Sequence, residues 1–281
     1  ALPEDFDVPK SILFKTTHTI AEVWLDGEKI YEYGNEADAP GFMKTPGSCW
    51  HIVDIPGDSS GKNLEVRIIP VYEGYYGNEV SLVYGTRGDC ILKILTDCLG
   101  ILVISCGILF AAVICILLYC GAARRKRSDK TEAKIEIFLN LGFFSLLVAV
   151  WTLVQCGFLQ FLIPDGRTLY FVEYFSLFLF PVPFNFLLYD ICKSRYHKGA
   201  LIFSTLYLVN MAGDVLLQCT GIIDMSRLLS VIHVIMVANV VYTVVIILYE
   251  AGKKENDVAQ KFRYPMCVVM GFGMAEQYQF V

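Results

Sequence analysis

The stretch CLGILVISCGILFAAVICILLYCGAARRKR, residues 98–127, decides the class of this protein. Residues 98–123 contain no charged side chain, and four cations in a row follow: Arg124, Arg125, Lys126 and Arg127. A hydrocarbon core about 30 Å thick needs about 20 apolar residues of helix, so this run reads as a membrane span with a basic anchor behind it. It is not a signal peptide, because a domain with ordered-looking patterning precedes it.

Working outward, the same reading repeats. Residues 137–164 are also free of charge, while 168–189 hold Glu173, 199–219 hold Asp214 and 228–249 hold His233. A last apolar stretch occupies residues 264–281. Six spans are therefore expected, at about 95–120, 137–161, 168–189, 200–218, 228–249 and 264–281. A composition of 55% hydrophobic residues and a mean hydropathy of +0.52 agree, since a water-soluble chain of 281 residues cannot hide so much apolar surface.

Loop charge sets the expected orientation. The loops after the first, third and fifth spans carry six, three and four Lys and Arg, and the two intervening loops carry only Arg167 and Arg227. Positive loops stay in the cytoplasm, so the N-terminus is expected outside. Residues 1–90 hold 15 Asp and Glu against 7 Lys and Arg, a balance of −8 that argues against nucleic acid as their partner.

Those first 90 residues read as an all-β domain, with residues 91–281 as the helical membrane domain. Six short strands are expected near 11–15, 21–25, 29–33, 50–54, 64–69 and 80–84, rich in β-branched and aromatic residues and separated by Gly, Pro and Asp. Asp26-Gly27 is the strongest local signal, because a type I′ hairpin turn needs positive φ at both central positions. The pattern suggests an antiparallel sandwich.

The run SILFKTTH (11–18), AEVWLDGEKIYEYG (21–34), WHIVDIP (50–56) and KNLEVRI (62–68), continued by GTRGDC (85–90) into the first span, resembles a galactose-binding-like jelly-roll domain placed before a multi-helix region. The whole chain is similar to the N-terminal sensory half of clostridial membrane proteins that carry a GGDEF diguanylate cyclase domain. These are related in plan to bacterial seven-transmembrane receptors with diverse intracellular signalling modules. The resemblance implies an outer sensor of a small molecule of the carbohydrate class, a homodimer, and a cyclase effector. The expected continuation past residue 281 is one more span and that cytoplasmic domain.

Within residues 1–281 there is no GGDEF sequence, phosphate-cradling glycine loop or kinase His box, so no enzymatic activity and no cofactor are expected of them. The ten Cys show no Cys-x-x-Cys spacing and no metal site is indicated; a disulfide between Cys49 and Cys90, the two in the outer domain, is left open and is not supported by their spacing.

Sugar sites combine aromatic faces with hydrogen-bonding groups. Trp24, Tyr31, Trp50, Tyr75 and Tyr76 are the candidate ligand contacts, against the plainer reading that strand aromatics pack in the core or across strands. Alternation places Glu22, Trp24 and Asp26 on one face of their strand and Val23 and Leu25 on the other. A second set lies in the spans: Glu173, Asn210, Asp214, Gln218 and His233 all fall in their outer halves. Asn210, Asp214 and Gln218, spaced by four, form one polar stripe that must avoid lipid. Pro181 and Pro183 interrupt the third span. The reading that unites these features is a transmembrane signal sensor. The alternative is a transporter or channel that uses the polar residues of the outer half.

Overall fold

The structure, a computed structural model, describes the chain apart from residues 4, 5, 7, 36, 38, 73–80, 126–131, 193–195, 254–256, 280 and 281. Six strands come first: β1 (Lys10–Thr17), β2 (Thr19–Leu25), β3 (Glu28–Tyr33), β4 (Ser48–Ile55), β5 (Leu64–Pro70) and β6 (Val83–Gly85). Seven helices follow: α1 (Arg87–Arg125), α2 (Glu132–Gln155), α3 (Gly166–Leu179), α4 (Pro181–Cys192), α5 (His197–Cys219), α6 (Leu229–Gly252) and α7 (Asp257–Gln279). The chain divides into two units, one of Ala1–Ser105, Trp151–Tyr174 and Leu217–Asp224, the other of Cys106–Val150, Phe175–Leu216 and Met225–Val281.

In the first unit the strands form two antiparallel sheets, ordered β4-β1-β6 and β3-β2-β5. The chain changes sheet at a single residue, His18, whose φ of 54° turns β1 into β2. Asp26 and Gly27, at φ 49° and 85°, make the tight turn between β2 and β3 that their sequence predicts. Side chains alternate along β1: Ile12 and Phe14 join Val23, Val53 and Ile55 in the core between the sheets. Leu13, on the opposite face, packs with Cys90, Ile94 and Cys98 of α1 and with Cys156. Strand β1 is thus buried on both sides, which is why its apolar residues run together instead of alternating with polar ones.

Helix α1 begins one residue after β6, earlier than hydropathy alone predicts, because Thr86 and Asp89 cap it reciprocally. The Thr86 N–H donates to Asp89 Oδ2 at 2.9 Å and the Asp89 N–H to Thr86 Oγ1 at 3.2 Å. Gln160, in a 3-10 turn at Phe158–Phe161, covers the free edge of β4. Its Oε1 accepts the Trp50 N–H at 2.7 Å, and its Nε2 donates to the Trp50 carbonyl at 3.1 Å.

Among the described residues five helical segments are long and apolar enough to cross a membrane: Arg87–Arg124, Ile135–Gln155, Gly166–Cys192, His197–Cys219 and Leu229–Gly252. Their outward side chains fit lipid, as with Ile104 and Phe110 of α1, which are 64% and 68% exposed. Residues 264–279 of the stretch expected as a sixth span lie in α7, which starts at Asp257 and contains Pro265. The break expected at the prolines falls at Phe180: α3 ends before it, and Pro181 takes the first position of α4, where its missing N–H costs nothing. In the second unit Phe184, Leu187, Leu188 and Ile191 of α4 pack with Ile246 and Ile247 of α6 and with Ala259 and Met266 of α7.

Candidate functional site

Asp224 of the first unit follows α5 in the connection to α6 and is 3% exposed. A carboxylate so buried must be surrounded by donors. It accepts the backbone N–H groups of Lys44 at 3.2 Å and Thr45 at 3.1 Å, the Gln218 side-chain amide at 2.7 Å, and the Tyr72 hydroxyl. Gln218 Nε2 also donates to the Phe42 carbonyl at 2.5 Å, and Gln218 Oε1 accepts the Tyr170 hydroxyl at 3.1 Å. The segment 42–47, which leads into β4, is therefore held by Gln218 at the end of α5 and by Asp224 just beyond it, with Tyr170 of α3 bonded to Gln218 behind them.

The same segment is held from its other side. His18 Nδ1 lies 3.0 Å from Thr45 Oγ1, and His18 Nε2 lies 3.5 Å from the Tyr174 hydroxyl. Burial lowers the His18 pKa to about 4, against the pull of the Asp224 charge, so the ring is neutral near pH 7. Gly47, at φ +87°, lies so close to Gly166 that an added Cβ would stand 2.3 Å from the Gly166 carbonyl oxygen. Gly221 approaches the Gly41 carbonyl in the same way, with 2.4 Å left for a Cβ. Two glycine contacts, one at each end of the segment, let backbone meet backbone.

Beside this clasp is a cleft of about 280 Å³ lined by Glu32, Tyr33, Gly34, Asn35, Pro46, Asp165 and Arg167. Its walls come from the end of β3, the held segment, and the start of α3. Pro46 is fixed there by its carbonyl, which accepts the Tyr33 hydroxyl at 2.7 Å. Asp165 caps α3 by accepting the Thr168 N–H at 3.0 Å and the Thr168 hydroxyl at 2.6 Å. Burial opposes its ionisation, but these bonds, the Arg167 N–H and the neighbouring guanidinium together hold the carboxyl below its ordinary range. The cleft thus presents two carboxylates, a guanidinium and an amide beside a tyrosine ring.

No family model, curated protein or solved structure matches the chain.

Of the aromatic candidates, Trp24, Tyr31 and Trp50 do not line the cleft. Trp24 does stand on the polar side of β2: its indole N–H donates to Glu22 at 3.0 Å, and Arg67 and Lys29 sit over its ring at 4.8 and 5.7 Å. Tyr31 is bonded to His51 Nδ1 at 2.9 Å, within a buried group that includes Thr16 and Cys49. Burial pushes the Cys49 thiol up to about 11 and the His51 ring down to about 4, so neither is poised as a nucleophile or base near pH 7. Trp50 packs on Gly157, where an added Cβ would come within 2.9 Å of its indole. Tyr75 and Tyr76 lie outside the described residues. Cys49 and Cys90 are both free thiols, and no metal-binding group occurs among the described residues.

Of the polar residues in the spans, Gln218 belongs to the clasp. Glu173 accepts from Gln155 at 2.6 Å. Asp214 is buried and accepts from Asn210 on its own helix at 2.7 Å, and His233 is half-buried. The residues that sequence reasoning passed over are His18, Thr45, Tyr170 and Asp224. Their one visible signal is Asp224, the single carboxylate in the connection 220–228, and nothing in it names a partner.

Proposed function

We propose that this chain is a transmembrane signal-sensing module whose β domain lies outside the cell and detects a small polar ligand in the cleft beside Pro46. One observation carries this reading: the segment 42–47 is at once a wall of the cleft and the strip of backbone that Asp224 and Gln218 hold. A ligand that presses on Pro46 acts on the same segment that anchors the end of α5, and one that engages Asp165 or Arg167 acts on the first turn of α3. Helices α1, α2, α3 and α5 each continue from the first unit into the second without a break, so displaced helix ends have a covalent route through the membrane.

The ligand class is carbohydrate, since carboxylates, a guanidinium and an amide beside a tyrosine ring match the hydroxyls and C–H face of a sugar. By the resemblance the two three-stranded sheets are part of a jelly-roll plan, and the regulated effector is a diguanylate cyclase on the cytoplasmic side. Loop charge supports the outward N-terminus. The transporter alternative gains nothing from Glu173 and Asp214, whose carboxylates are engaged by neighbouring amides.

The test is calorimetric titration of the full chain in nanodiscs with galactose, glucose and N-acetylglucosamine, together with hydrogen exchange across residues 42–47. Binding should vanish in Glu32→Gln and Arg167→Ala and should alter exchange in that segment. Failure of all three sugars to bind would reject the carbohydrate class. Binding that left segment 42–47 unchanged would reject the route of transmission.

A further inference from the structure

The second unit contains a group of buried polar side chains that the sensing reading does not use. Asn185 of α4, Ser204 and Tyr207 of α5, and Asn239 and Thr243 of α6 are each at most 4% exposed. Asn239 Nδ2 donates to Asn185 Oδ1 at 2.9 Å and to the Tyr207 hydroxyl at 3.3 Å, so three helices meet at one amide. Ser204 and Tyr207 are three residues apart and Asn239 and Thr243 four, which puts each pair on one helix face. The antiparallel register of α5 and α6 pairs Tyr207 with Asn239 and the Phe203 ring with Tyr242 at 5.1 Å, and so sets Ser204 level with Thr243.

Four atoms in this group are buried without a hydrogen-bond partner among the described residues: Asn185 Nδ2, Ser204 Oγ, Asn239 Oδ1 and Thr243 Oγ1. Asn239 lies near the middle of α6, with roughly 15 Å of helix before it and roughly 20 Å after it at ~1.5 Å per residue, and it is buried from bulk water. Leaving such groups bare is costly in any apolar interior. Exchanging the nitrogen and oxygen of both amides would not remove the demand, because one amide would still present a bare N–H group and the other a bare oxygen.

The bare groups are a mixed set: an amide donor, an amide acceptor, and two hydroxyls that can serve as either. A cation would be repelled by the amide N–H groups, and the carboxylate on α5, Asp214, lies two turns away and is engaged by Asn210. A molecule that both donates and accepts fits all four. We propose that Asn185, Ser204, Asn239 and Thr243 form a binding site for ordered water inside the helical unit, bridging α4, α5 and α6. Bound water makes about three hydrogen bonds in such polar sites. Water bridging the three helices would satisfy these groups nearly as well as direct hydrogen bonds.

Radiolytic footprinting of the full chain in nanodiscs, made up in ¹⁸O water, tests the site, because radicals formed from bound water mark the side chains beside it. Tyr207 should take up ¹⁸O while Phe178 and Phe184, comparably buried in the same unit, do not. The Asn239→Leu and Asn185→Leu variants should lower the Tyr207 label by about fivefold or more, as expected when a site loses part of its polar lining. A Tyr207 label no greater than that of Phe178 would overturn the proposal, a comparison that needs no variant. So would a label unchanged in Asn239→Leu, which would mean the water comes from elsewhere, or one abolished when sodium replaces choline, which would make the ligand a cation.

Discussion

Thr45 donates its backbone N–H to the Asp224 carboxylate at 3.1 Å, a bond between residues 179 positions apart in the chain. It ties the approach to β4 to the connection after α5, and Lys44, Gln218 and Tyr72 converge on the same carboxylate.

Asp224→Ala should therefore strip four donors of their acceptor at once. Hydrogen bonds to charged groups contribute about 1.5–3 kcal/mol each and are not additive, so a net loss of about 3 kcal/mol is expected. Asp224→Asn, which keeps one acceptor oxygen, should lose less. Thermal unfolding of the full chain in detergent measures both, and equal stability of Asp224→Ala and the parent would remove the clasp as a structural element.

Acidification should loosen the same place. His18 has its pKa lowered to about 4 by burial, so the folded state favours the neutral ring. Its contribution is fully present above about pH 6.5, the ordinary value, and is lost as the pH falls from there to about 4. The loss amounts to about 3 kcal/mol at 1.36 kcal/mol per pH unit. Tryptophan fluorescence during denaturant unfolding at pH 7 and pH 4.5 should show this slope, and His18→Asn should reduce it. Because His51 is also held near 4 by burial, part of the slope should survive. A slope identical in His18→Asn and the parent would contradict the assignment.

Two glycines with nearly the same backbone angle should behave differently. Gly27 and Gly47 have φ of +85° and +87°, but a Cβ on Gly27 meets nothing within 4 Å, whereas one on Gly47 meets the Gly166 carbonyl. Alanine at 27 should cost about 1 kcal/mol of backbone strain, and alanine at 47 at least about 3 kcal/mol. Equal effects in a melting experiment would show that the close approach of the two backbones is not needed.

Much of this architecture was legible in the sequence because it depends on neighbours. Asp26-Gly27 makes its turn alone, the alternation of Glu22, Val23, Trp24 and Leu25 marks buried and polar faces, and uncharged runs mark helices fit for a membrane. The clasp was not legible, because no local rule says that a carboxylate at 224 meets amides at 44 and 45. The stripe of Asn210, Asp214 and Gln218 shows the boundary well. Its spacing is a local fact, but Asp214 turns to its own Asn210 while Gln218 reaches Phe42, 176 residues away. Trp50 was open to the same ambiguity: an aromatic on a strand can face a ligand or a helix end, and Gly157 decides for the second.

Gln160 offers a sharper test of edge protection. Its amide takes both backbone groups of Trp50 as a neighbouring strand would. Gln160→Ala should cost about 1–3 kcal/mol and expose the edge of β4 to pairing with other chains. Gln160→Glu keeps the acceptor for the N–H but sets a carboxylate against a carbonyl, and should be no better. Light scattering during mild heating reads the association; unchanged scattering in both variants would reject the role.

Topology is open to labelling. With exposed Cys106, Cys120 and Cys219 replaced, a cysteine introduced at Asn35 or Asp165 should react with an impermeant maleimide on intact cells, and one at Ser128 or Asn256 should not. Reaction at Ser128 would invert the orientation.

The join between β6 and α1 has a mechanical consequence. Val83–Gly85 is bonded to β1, and after Thr86 the helix runs 39 residues without interruption, a rod about 58 Å long at ~1.5 Å per residue. There is no slack at its root, since the Thr86 and Asp89 cap occupies the only linking residue. If the sheet tilts by about 5°, simple leverage carries the far end of such a rod through about 5 Å, roughly one helical turn's rise. A sensor of the proposed kind would need only to turn its sheet, not to push on it.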